Sequence, residues 1–242
     1  MKHVWTTMAL LTVIVIAFAF MSPVEARDKQ YTALQINNFV VDGNIDEWGI
    51  EDPVIIPDQL KDTGAQLPDP DDFSGEIIVG WNSQDAERVY LVYIVTDDEI
   101  QDINAPAGNW WDDDSAEIIF DFDNTGTREK FVVGATGELS DLANADNTEF
   151  VIKSDEAKNL YIYEIAITRP QGFKVAPDVV IGLSPIYNDC ENGVREHQLG
   201  WIGGGANNSA NMGDIIFSAK VRRPLAVEPA DKLTTTWGAL KH

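Results

Sequence analysis

The chain has 242 residues and carries 40 acidic against 17 basic side chains, a formal net charge of −23. A field of that sign repels nucleic acid and anionic lipid, while it suits neutral ligands and divalent cations. With Cys190 as its one cysteine the chain cannot form an intramolecular disulfide, so its stability has to come from burial and from any metal it binds.

At the amino terminus Lys2 and His3 precede an almost uncharged apolar run from Val4 to Phe20, followed by Val24-Glu25-Ala26 and then Arg27. The run is short for a membrane span, which needs roughly 20 apolar residues, and no stop-transfer pattern follows it. Residues 1–26 are therefore expected to be a signal peptide cleaved after Ala26, leaving a secreted protein, extracellular or periplasmic, with no membrane attachment. No cysteine stands at the cleavage point to take a lipid anchor.

From there the chain alternates strand-like runs with clusters of Gly, Pro, Asn and Asp, and no convincing amphipathic helix interrupts them. The clearest runs are Glu76 to Trp81, Arg88 to Val95, Ser115 to Asp121, Lys130 to Ala135, Glu149 to Lys153, Leu160 to Thr168, Val179 to Tyr187 and Gly213 to Val221. In the sixth, Tyr161, Tyr163, Ile165 and Ile167 fall on one face because side chains alternate along a strand. The pattern predicts an all-β, antiparallel β-sandwich over residues 27–221, with loops from Pro53 to Ser74 and from Asp98 to Gly108. Residues 222–242 open with Arg222-Arg223-Pro224 and have little periodicity, so they read as a tail outside the sandwich.

Catalytic signatures are missing. Past the leader only His197 and His242 remain to orient a nucleophile. Gly-x-Ser-x-Gly, His-Glu-x-x-His and a phosphate-binding Gly-rich loop do not occur. With 40 acids in the chain, adjacency of carboxylates carries no information about glycoside hydrolysis. The expectation is a binding protein that is not an enzyme and needs no organic cofactor.

Two segments carry cation-ligand chemistry. Asp121-Phe122-Asp123-Asn124-Thr125-Gly126 places acids at alternate positions with Gly sixth, as at the start of a calcium loop, although Val132 stands where the closing Glu would be. A plain turn is the competing reading there. Asp42, Asn44, Asp46 and Glu47 form the second cluster of oxygen donors. Trp48, Trp81 and Trp201 read as core or strand-edge aromatics, whereas Trp111, beside three aspartates, fits a core less well.

Several landmarks in order resemble a family 9 carbohydrate-binding module. Val41-Asp42-Gly43-Asn44-Ile45-Asp46-Glu47-Trp48 is similar to that family's opening motif, and Glu87 to Val92 followed by Thr96-Asp97-Asp98 is similar to a later strand. Trp111-Asp112-Asp113-Asp114-Ser115-Ala116-Glu117-Ile118 is the most specific match, and Tyr163 to Ile167, Ile181 to Asp189 and Gly213-Asp214-Ile215 complete the series. The likeness covers roughly Ala33 to Val221.

It implies a non-catalytic sandwich that binds a saccharide or polysaccharide, often at a chain end, and commonly carries structural calcium. The physical logic is that the apolar C–H face of a pyranose stacks on indole while its hydroxyls need directional partners. By the resemblance Trp111 takes the place of a stacking ring, Glu117 that of a hydroxyl-binding acid and Asn207 that of a binding amide. Val132, Ile186 and Ala210 stand where binding members carry Arg, Gln and a second Trp, which puts the specificity in doubt. Trp110 could replace the missing wall, but in a strand it would face away from Trp111. Two alternatives stay open: a surface or adaptor domain that has lost sugar binding, and a haem-binding electron-transfer domain, for which Met212 and His197 are the available axial residues.

Overall fold

The computed structural model describes residues 27–49, 54–60, 66–104, 110–137, 147–169, 172–203 and 211–223. Eleven strands are found among them: β1 (Gln30–Gln35), β2 (Gln59–Leu60), β3 (Phe73–Asn82), β4 (Asp85–Asp97), β5 (Ser115–Asp121), β6 (Glu129–Gly134), β7 (Thr148–Asp155), β8 (Leu160–Thr168), β9 (Val180–Glu191), β10 (Val194–Gly200) and β11 (Gly213–Val221). All eight runs expected from alternation are strands. β1, β2 and β10 are additions, and the 53–74 segment expected as loop contains β2 and the first residues of β3.

Hydrogen bonding runs continuously through β2-β10-β9-β11-β1-β3-β4-β8-β7, with β5 on the other side of β9 and β6 beyond it. The pairs are antiparallel except around β1, which runs parallel to both β11 and β3. The sheet folds over so that its two halves face each other. β8 shows why: Tyr163, Ile165 and Ile167 enter the main core, as their alternation predicts, and meet Ala116, Ile118 and Phe120 of β5, Phe131 and Val133 of β6, and Leu183 and Tyr187 of β9. Polar atoms stitch the same halves together. The Tyr163 and Tyr187 hydroxyls lie 2.7 Å apart, and Tyr93 donates to the Glu117 carbonyl at 3.4 Å.

The opposite face of β3, β4 and β8 has its own cover. Ile36, Ile45 and Trp48 pack there on Ile78, Tyr90, Val92 and Ala166. The opening motif is what pins this cover down: Glu164 accepts from Trp48 Nε1 at 2.8 Å, from the Gly43 amide at 2.6 Å and from the Asp42 amide at 2.8 Å. Gly80 allows the close approach, since a Cβ there would stand 2.3 Å from Ile36 Cδ1. Trp48, Trp81 and Trp201 are buried, as expected. Arg222, the first residue of the expected tail, is also buried and donates from Nη1 to the Gly49 carbonyl at 3.2 Å. Residues 1–26 and 224–242 lie outside the described residues.

Candidate functional site

The Trp111 motif is a short 3-10 turn, Trp110–Asp112, that leads into β5. Aspartates beneath it fix its shape. Asp113 Oδ1 accepts the amides of Ile103 and Asn104 at 2.9 Å each, and Asp114 Oδ1 accepts the Cys190 amide on β9 at 2.9 Å. Ser115 Oγ donates back to the Trp110 carbonyl at 3.3 Å. The turn corrects the strand-parity expectation for Trp110: because the backbone curls instead of extending, the two rings do not point to opposite faces but meet edge to face, 5.4 Å apart at 82°. Trp110 is 8% exposed and Trp111 39%. Trp111 is the one exposed tryptophan among the described residues.

Glu117 stands on the face of β5 turned away from the main core. Its cross-strand neighbours are Val132 on β6 and Ile186 on β9, so apolar side chains flank it on both sides. Glu117 is 1% exposed, and its Oε1 lies 2.6 Å from Lys130 Nζ. The same ammonium sits 5.1 Å from the centroid of Trp110. Lys130, which sequence reasoning missed, thus joins the acid to the aromatic pair. The indole Nε1 of Trp110 is buried without a hydrogen-bond partner among the described residues. Such an unmade bond costs about 1–3 kcal/mol. Asn207 and Ala210 lie outside the described residues. A cleft of about 600 Å³ opens elsewhere, along Phe150, Ile152 and Tyr161, and neither Trp111 nor Glu117 lines it.

The residues expected to hold a cation are engaged locally. Asp42 Oδ1 accepts the Asn44 amide at 2.8 Å and Asn44 Oδ1 the Asp46 amide at 3.1 Å. Burial raises the Glu47 carboxyl above its ordinary value. Asp121 pairs with Arg27 at 2.8 Å and accepts the Thr125 amide at 3.0 Å, while Asp123 accepts from Thr125 Oγ1 at 2.7 Å.

The structure gathers carboxylates somewhere else. One oxygen each of Asp97, Asp114 and Asp189 lie within 4.8 Å of one another, and Asp72, Asp98, Glu191 and His197 continue the group outward. The three inner acids are buried. Burial, and then the Asp97 charge, pushes Asp189 up to about 8. Burial likewise raises Asp97 and Asp114 well above the ordinary carboxylate range, with each other's charge adding to the effect in Asp114. Asp97 Oδ2 has no hydrogen-bond partner among the described residues. Hard oxygen donors converging around an unpartnered buried oxygen fit calcium, which takes carboxylates at short range in variable geometry. Met212 packs with Ile119 and Ile186, whereas His197 Nε2 lies 3.8 Å from Asp72 Oδ2.

An all-β scaffold that carries an exposed indole on a rigid turn, beside a buried acid and an ammonium, is the build of a non-catalytic binding module. Residues 41–219 match the Carbohydrate family 9 binding domain-like family, and the chain belongs to that family of carbohydrate-binding modules. A family 9 carbohydrate-binding module from Caldicellulosiruptor kristjanssonii, solved in complex with cellotriose, is similar in structure with a TM-score of 0.65 at 18% identity, over 83% of this chain and 98% of that one. A family 9 module from the same organism in complex with glucose gives a TM-score of 0.64 at 17% identity, over 83% and 100%. No curated protein matches the chain.

Proposed function

We propose that the chain is an exported module that binds a saccharide by stacking a pyranose on Trp111. The observation that carries this reading is the exposed Trp111 ring, held edge to face on Trp110 by a turn that Asp113 and Asp114 brace through backbone donors. Hydroxyls of the sugar accept from Lys130, whose ammonium keeps contact with solvent, and Asn207, outside the described residues, is by the resemblance a further candidate partner. With Val132 and Ile186 beside Glu117, the acid has lost the neighbours that would share a hydroxyl with it, and Lys130 takes their place. The preferred sugar therefore differs from one read by an acid, a guanidinium and an amide together.

Calcium belongs to the same proposal. Asp97, Asp114 and Asp189 would hold it, and since Asp114 also receives the Cys190 amide, the ion would brace the start of β5 and with it the turn that carries Trp111. The Val132 and Ile186 substitutions also favour a second reading, a sandwich that keeps the architecture and has lost sugar binding.

Isothermal titration in calcium-containing buffer decides between them. Cellotriose, glucose and a panel of neutral, amino and uronic oligosaccharides serve as probes. Saturable heat with at least one, absent in Trp111→Ala, supports stacking. A well-folded protein that takes up none of the panel supports the second reading.

A further inference from the structure

The leader reading makes Arg27 the first residue of the mature chain, and the surroundings of Arg27 are built for a charged amino terminus. Three adjacent strands each place one residue in a row: Asp121 on β5 pairs with Gly182 on β9, which pairs in turn with Asp214 on β11. Gly182 leaves room above the middle strand, where a Cβ would stand 2.8 Å from Arg27 Nη1. The guanidinium fills that room. It donates from Nη2 to Asp121 Oδ2 and from Nη1 to Asp214 Oδ1, both at 2.8 Å. Both carboxylates are buried, so the row holds two negative charges against one positive. Buried charges are costly unless each is compensated. The backbone nitrogen of Arg27 points at this deficit, donating to Asp214 Oδ2 at 2.9 Å.

We propose that removal of the leader completes this row, making the freed α-ammonium of Arg27 a structural counter-ion for Asp214. Hydrolysis of the Ala26–Arg27 bond by a signal peptidase adds the hydroxyl of water to the Ala26 carbonyl and its hydrogen to the Arg27 nitrogen. The new amine takes up a proton at neutral pH, as α-amino groups do below about pH 8. A neutral amide donor to Asp214 is replaced by a charged one, and charge-assisted hydrogen bonds are roughly twice as strong as neutral ones. Two carboxylates then face two positive groups across β5, β9 and β11, and the processed chain is the more stable form.

The test uses the exported, processed protein, whose intact mass is measured first. Its melting temperature is compared with that of the same chain carrying one added alanine before Arg27, which moves the ammonium away while leaving the guanidinium in place. The expected result is a mass that begins at Arg27 and a melting temperature roughly 3 °C higher for the native terminus, a gap that closes in Asp214→Asn. Should Asp214→Asn not fold, Asp121→Asn keeps the ammonium's partner and must preserve the gap. A mass that begins elsewhere overturns the leader reading. Equal melting temperatures, a gap that survives Asp214→Asn, or one lost in Asp121→Asn overturns the counter-ion.

Discussion

Lys130 shows how one side chain can decide what a familiar position does. Glu117, expected from the resemblance to bind a hydroxyl, is buried and its charge is met by Lys130 at 2.6 Å. Removing one partner of a buried pair leaves the other uncompensated, at a cost of about 3–5 kcal/mol when both are fully buried. Lys130 keeps partial contact with solvent, so Lys130→Met is expected to lower stability by the smaller amount of about 2 kcal/mol. Adding Glu117→Gln should return most of it, since no charge is then left unmet. Urea unfolding of the two single variants and the double variant measures this coupling. Nothing in the sequence marked Lys130, because its partners Glu117 and Trp110 come from another strand and from a turn.

At the scale of elements, the opening motif acts through packing. Its tryptophan and two of its amides all end on Glu164 of β8, so Val41 to Trp48 forms a cover for the second apolar face. Gly80→Ala is predicted to force Ile36 outward and loosen that cover, at about 1–3 kcal/mol by the usual cost of overpacking, visible as a lower denaturation midpoint. The long alternating strands were legible because their two faces differ so sharply. β10 was not: Val194-Arg195-Glu196-His197-Gln198 is polar on both faces, since His197 stands across from Asp189 and Gln198 across from Asn188, and a bulge at Glu196 breaks the alternation. β1 was hidden by its brevity and its Thr and Gln content. The Trp111 turn was legible as a motif but not as a shape, and the parity argument for Trp110 failed because it assumed extended backbone.

For the whole molecule, the acid group at Asp97, Asp114 and Asp189 is expected to set how stability responds to pH and, under the calcium proposal, to cation. The sequence holds its members far apart, at the end of β4, just before β5 and on β9, and among 40 acids no local spacing distinguishes them. Each has a folded-state affinity for protons raised by burial. The native state therefore binds more protons than the unfolded chain between the ordinary carboxylate value and about 8, the value for Asp189. The contribution of the group to stability is complete below the ordinary value and is lost as pH rises through the folded one. In a chelator the melting temperature is expected to fall from about pH 5 to about pH 8. With millimolar calcium the fall should vanish, and Asp97→Asn should abolish the calcium response.

The claim on which the account turns is that a sugar ring lies against Trp111. Indole N–H signals in a ¹⁵N-labelled sample, assigned with single Trp→Phe variants, report on each ring separately during a saccharide titration. The account predicts saturable movement of the Trp111 and Trp110 signals while those of Trp48 and Trp81 stay in place. Movement confined to other tryptophans, or a saccharide that binds without disturbing Trp111, would contradict it.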